Sequence, residues 1–124
     1  MWNKKRELAF YISSNHADSS IIKPKNFDDK ITVKVSKLEE YVSKPVKCLK
    51  LEAEGAEPEV LEGLESKLSL VEYIAADLGY ERGVDCESTL PAVTNFLCQR
   101  GFELIKVNHT RICALYKNRN PDFS

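Results

Sequence analysis

Four carboxylates fall within the eight residues from Glu52 to Glu59, on either side of Gly55. A carboxylate held at the end of a strand can orient or remove a proton, and several together can gather a hard divalent cation. Neighbouring residues of an extended strand point to opposite faces, so these acids are not automatically one cage, and no metal site is expected. Glu57 and Glu59 also suit the positive end of a helix dipole, and Glu54 suits a role in satisfying backbone groups of the Glu54-Gly55-Ala56 turn. Asp77, with Glu81 and Arg82, forms a second candidate group, for which a salt-bridged loop mouth is the alternative. His16 lies in a polar stretch from Ser13 to Ser20 and could serve as a base or merely as a surface residue. His109 reads as a hairpin-turn residue.

The elements that must position these groups follow from periodicity. Leu8, Phe10 and Ile12 alternate with polar or smaller residues, which predicts a half-buried strand, and Ile31, Val33 and Val35 predict another. Ser36 with Glu39 forms a capping box for a short helix that ends before Pro45. A strand over 46–51 opens onto the acids at 52–57. Beyond Pro58, Val60, Leu61, Leu64 and Leu68 recur at helical spacing. Residues 70–78 read as a buried strand, 79–86 as a loop, and Ser88 or Thr89 as the cap of a helix that stops at Gly101. Residues 102–107 and 111–116 then form an antiparallel hairpin. Strands alternating with helices predict a single α/β domain over 1–124 with a mainly parallel sheet and a C-terminal antiparallel hairpin.

Composition sets the outer limits. The chain has 124 residues, 30% of them charged, and a net charge of -1. Residues 1–50 carry 11 Lys and Arg against 6 Asp and Glu, and the remainder 7 against 13. The basic residues are spaced out and mixed with acids, and no stacking motif accompanies them, so nucleic acid is not an expected partner. No apolar run is long enough to span a membrane. Cys48, Cys86, Cys98 and Cys113 lack C-x-x-C spacing, three of them lie in apolar runs as small buried residues would, and the expected location is cytoplasmic.

The stretch from Cys48 to Gly63, with Lys50, Glu52, Glu54-Gly55, Glu57, Val60-Leu61 and Gly63 in place, resembles the signature segment of FkbM-family methyltransferases. The likeness extends to Phe10-Tyr11-Ile12-Ser13-Ser14-Asn15, to 76–83, to Gly101-Phe102 and to 111–118. Glu52 stands where the family usually has Asp. No glycine precedes Gly55, whereas family members begin with a glycine-containing cofactor loop.

The resemblance implies a three-layer Rossmann-like methyltransferase half and O-methyl transfer from S-adenosylmethionine to a small-molecule or sugar hydroxyl. It implies Glu52 and Glu54 as catalytic residues and Ser13, Ser14 and Asn15 as contacts for cofactor or acceptor; Asp77 joins the catalytic candidates because, in a parallel sheet, it ends the next strand at the same edge. One wall of a cofactor crevice would need a second wall, so a homodimer or a partner supplying the other half is expected. The alternative is a non-catalytic binding or oligomerisation module.

Overall fold

The computed structural model describes residues 1–13 and 19–123. Two strands, β1 (Arg6–Ile12) and β2 (Asp29–Val35), pair antiparallel in register from Arg6 opposite Val35 to Ile12 opposite Asp29. After a 3-10 turn at Leu38–Tyr41 come β3 (Val46–Leu51), α1 (Glu57–Glu62), a second 3-10 segment at Glu65–Leu70 and β4 (Val71–Asp77). A small ribbon of β5 (Tyr80–Arg82) and β6 (Glu87–Ser88) precedes α2 (Leu90–Cys98), and the hairpin of β7 (Phe102–Asn108) and β8 (Cys113–Asn118) follows.

This arrangement overturns the expectation of a three-layer Rossmann-like fold with a mainly parallel sheet. The domain is mostly β, and its largest sheet has four strands in the order β3-β4-β8-β7. Only β3 and β4 run parallel; β4–β8 and β8–β7 are antiparallel. β1 and β2 satisfy each other instead of extending that sheet. Alternation in their sequences specified which side of each strand is apolar, and that pattern is compatible with either pairing.

The alternation of burial along the four-stranded sheet shows where the core lies. Leu51, Ile74, Ala76, Ala114, Tyr116 and Phe102 pack in one cluster with Val60 and Leu61 of α1, Val93 and Leu97 of α2, and Leu64 and Leu68 between α1 and β4. Their strand neighbours Tyr73, Ala75, Cys113, Leu115 and Lys117 are only half-buried, and Cys48 and Lys50 are exposed. The four periodic residues Val60, Leu61, Leu64 and Leu68 are all buried, yet the α-helix stops at Glu62. Gly63 lies against the Trp2 backbone so closely that a Cβ there would collide with the Trp2 carbonyl, and the chain continues as 3-10 helix.

Three local expectations also change. The capping pair at the first 3-10 turn is Lys37 with Glu40, whose carboxylate accepts the Lys37 N–H at 3.4 Å, while the Ser36 hydroxyl lies 3.2 Å from that of Tyr41. Residues 79–86, expected as loop, contain β5. Cys48, Cys86 and Cys98 are exposed and Cys113 half-buried, so none is the buried core residue the apolar runs implied. Among the described residues, no helix is long and apolar enough to cross a membrane.

Candidate functional site

The Glu54-Gly55 turn joins β3 to α1, and both of its residues have positive φ, 48° and 96°. Such a backbone survives where surroundings over-determine it. The Glu57 carboxylate, on a residue only 1% exposed, supplies much of that constraint. Its Oε1 accepts the N–H groups of Ala53 at 3.0 Å and Gly55 at 3.2 Å, and its Oε2 accepts the Thr89 hydroxyl at 3.0 Å. The carboxylate thus ties the start of α1 to the start of α2.

Arg82 of β5 closes the other side. Its guanidinium donates to the Gly55 carbonyl at 2.7 Å and to both carboxylate oxygens of Glu59, at 2.8 and 2.5 Å. A Cβ on Gly55 would lie 2.7 Å from the Arg82 Cα. Glycine is therefore required here twice, by φ and by this approach. From a third direction, the buried Ser20 hydroxyl donates to the Glu54 carbonyl at 2.8 Å and accepts the Ile22 N–H at 3.1 Å.

Held this way, the Glu54 side chain meets Glu81 of β5. Hydrogen bonding to Glu54 favours the protonated form of the Glu81 carboxyl. Burial, that hydrogen bond, and the nearby charges of Glu54, Asp77 and Glu57 push the Glu81 carboxyl up to about 7. The pair opens on a pocket of about 400 Å³ that is also lined by Ser13, Lys25, Asn26 and Tyr80.

Two further depressions flank the same segment. An apolar groove of about 380 Å³ runs between β1 and β3, walled by Phe10, Ile21, Leu38, Leu49 and Val60, with Glu52 and Glu54 at its side. A shallower one, about 590 Å³, lies on the half-exposed face of the sheet over Ala75 and Leu115, with Lys50, Glu52, Asp77 and Arg111 around it. Glu52 borders both of these, and Glu54 borders the groove and the carboxyl pocket.

The sequence-predicted residues are thus distributed unevenly. Ser13 and Glu54 share the carboxyl pocket, and the Ser13 N–H donates to the Ser19 hydroxyl at 3.1 Å. Ser14, Asn15 and His16 lie outside the described residues. Glu52 is exposed and ion-paired with Lys50 at 3.0 Å. Asp77 is engaged by Arg111 at 3.1 Å and accepts the Gly79 N–H at 3.3 Å. It borders a different depression from Glu54. His109 is exposed in the turn between β7 and β8.

Sequence reasoning placed Glu81 beside Asp77; the structure brings it to Glu54. It also missed Ser20, whose only sequence signal was membership of a polar run. Of the two expected caps of α2, Thr89 takes the N-cap position but sends its hydroxyl to Glu57 at 3.0 Å, while the Ser88 hydroxyl accepts the Leu90 N–H at 3.2 Å. Among the described residues no group of three or more His, Cys, Asp or Glu is arranged to hold a metal ion. Comparison with protein-family models, with curated proteins and with solved structures finds no match.

Proposed function

We propose that this domain serves an O-methyl transfer that uses S-adenosylmethionine, and that Glu54 and Glu81 accept the proton of the acceptor hydroxyl. The observation that carries this reading is the pair of carboxyl groups, Glu54 and Glu81, lining one pocket with Ser13. The resemblance of the segment 48–63 to a methyltransferase signature supports it.

Converting a hydroxyl to a methyl ether releases one proton. A carboxyl whose affinity for a proton is raised to near neutrality is a better acceptor for it than an ordinary carboxylate, because proton transfer is most effective near the operating pH. Glu81, in its ionised form, has that property, and the neighbouring Glu54 carboxylate contributes to it. The left-handed turn at Glu54-Gly55, fixed by Glu57, Arg82 and Ser20, holds the pair in place without rearrangement.

The groove beside Glu52 and Glu54 fits the chemistry of the cofactor. Its apolar wall of Phe10, Ile21, Leu38 and Leu49 suits an adenine ring, and the carboxylates at its side suit ribose hydroxyls and a sulfonium charge. When bound, S-adenosylmethionine supplies an electrophilic methyl group. Phe10 and Leu38 would exclude water from it, and Glu54 would stand between cofactor groove and acceptor pocket.

Calorimetric titration of the purified chain with S-adenosylhomocysteine tests this. Saturable binding at micromolar strength is expected, and weakened by Glu52→Ala. Absence of binding at millimolar ligand would overturn the reading.

One observation favours a second reading, that of a binding module. The outer edge of β3 pairs with no strand among the described residues. Lys47 and Lys50 are exposed on it, an arrangement that discourages pairing between identical edges. A partner strand of other sequence would therefore suit it better than a homodimer through β3.

A further inference from the structure

The ribbon of β1 and β2 differs from the rest of the domain in burial and in charge. None of its residues belongs to the central apolar cluster, and of its two strands only Val35, at one end, is buried. Residues 1–37, which make up the ribbon and its connections, carry 8 Lys and Arg against 4 Asp and Glu, whereas residues 38–124 carry 10 against 15. The charge asymmetry of the sequence is thus a division between two parts of the fold.

One side of the ribbon combines these cations with aromatic rings. The register sets Lys34 opposite Glu7, Thr32 opposite Ala9 and Lys30 opposite Tyr11, and residues directly opposite share a face. The Tyr11 ring meets that of Phe27 edge-on, with centres 4.9 Å apart, and the Lys23 ammonium stands 5.9 Å from the centre of the Phe27 ring. Lys23, Lys30 and Lys34 are exposed, and Phe27 is 38% exposed. Among the described residues no ion pair engages any of these three lysines.

This pairing of properties selects among anionic partners. A single-stranded nucleic acid needs open ring faces for its bases, whereas here the rings are turned onto each other and Lys23 stands over Phe27. A purely polar anionic surface would satisfy the lysines and leave Phe27 in water. The boundary of an anionic bilayer offers both phosphates for cations and, just beneath them, hydrocarbon for an aromatic ring. Lysine stems can lie along that boundary with their ammonium groups in the headgroups.

We infer that this side of the β1–β2 ribbon docks the domain on an anionic phospholipid surface, with Phe27 at the headgroup boundary and Lys23, Lys30 and Lys34 among the phosphates. Phe10, which walls the apolar groove, lies on the other side of the ribbon, opposite Ile31. Docking therefore leaves the groove facing away from the lipid, and it does not depend on the methyl transfer proposed above.

Flotation of the purified full chain with vesicles tests this. Binding is expected to phosphatidylcholine vesicles that carry phosphatidylserine and not to phosphatidylcholine alone, and added salt should weaken it because the cations are exposed. Lys30→Gln combined with Lys34→Gln should lower the partition coefficient about 25-fold, from about 1 kcal/mol for each cation near such a surface. Lys44→Gln combined with Lys106→Gln makes the same change in net charge at exposed lysines outside the ribbon and should lower it far less. Phe27→Ser should lower it several-fold, and Phe27→Trp should retain it. No binding to phosphatidylserine vesicles at low salt would overturn the inference. Equal losses in the two double variants would do so as well, as would a partition indifferent to Phe27→Ser. An oligonucleotide held more tightly than the vesicles would overturn it in favour of a nucleic-acid surface.

Discussion

Glu57 and Glu81 are near enough for the charge of one to act on the other, yet the fold treats them in opposite ways. Glu57 is the more deeply buried, and its carboxylate receives two backbone N–H groups and a hydroxyl. Glu81 is partly exposed but faces another carboxyl, and it holds its proton to about pH 7. Burial is the largest cause of the raised Glu81 value and the neighbouring Glu54 the next, whereas donors surround the Glu57 carboxylate and tie it to the backbone. What faces a buried carboxyl thus bears on its role as well as its depth. On one side of the Gly55 turn the protein uses charge to fix its backbone; on the other it leaves a proton in play.

The comparison breaks most completely if Glu57 is removed. Glu57→Ala strands the Ala53 and Gly55 N–H groups and the Thr89 hydroxyl in a buried site. A loss of about 3–4 kcal/mol is expected from the cost of unsatisfied buried donors, measured by urea denaturation. Gly55→Ala attacks the same turn through its backbone, combining φ of +96° with a 2.7 Å approach to the Arg82 Cα. A loss of about 2–3 kcal/mol is expected for a strained residue of this kind, accompanied by displacement of β5 and separation of Glu81 from Glu54. An unchanged denaturation midpoint in either variant would show that the turn is not what fixes the site.

Arg82→Met spares the turn's backbone but removes its outer clamp, the paired hydrogen bonds to Glu59 and the one to the Gly55 carbonyl. The guanidinium is about one-third exposed, so the expected loss is smaller, about 1–2 kcal/mol after allowance for solvent screening. Arg82→Lys should recover only part of it, because a single ammonium cannot bridge both Glu59 oxygens in the same plane.

The two sides of the turn also differ in how far sequence reveals them. Val60, Leu61, Leu64 and Leu68 announce a buried stripe, and all four are in the core. The close approach of the Trp2 backbone to Gly63, where the helix ends, was hidden, because Trp2 lies 61 residues earlier in the chain and reaches Gly63 only once the fold is formed. Strands β1 and β2 could be recognised from alternation, but alternation says which face is buried and nothing about the neighbour, so their antiparallel pairing and the mixed order of the larger sheet could not be read. Glu54 was legible from its place beside Gly55. Its proximity to Glu81 was not, since the two lie 27 positions apart and β5, which carries Glu81, has few apolar residues to signal a strand.

The mildest change sharpens the comparison most. Glu81→Gln keeps the size of the side chain and its ability to donate a hydrogen bond to Glu54, while removing the titration. In the unfolded chain the Glu81 carboxyl releases its proton near 4.5, whereas in the folded protein it does so at about 7. Between those values the folded state binds more protons, so raising the pH through that window must lower stability. Stabilisation from this group is fully present below about 4.5 and lost by the time the pH has passed about 7. Glu81→Gln should therefore flatten the pH dependence across that interval, with its largest gain over the parent chain above pH 7. Glu54→Gln removes the Glu54 charge but leaves the burial of Glu81 in place, so it should flatten the same interval only in part. Denaturation curves collected from pH 4 to pH 8 for the three proteins decide the matter. Parallel pH profiles would show that the Glu81 carboxyl does not hold its proton to about pH 7, and the proposed base would lose its foundation.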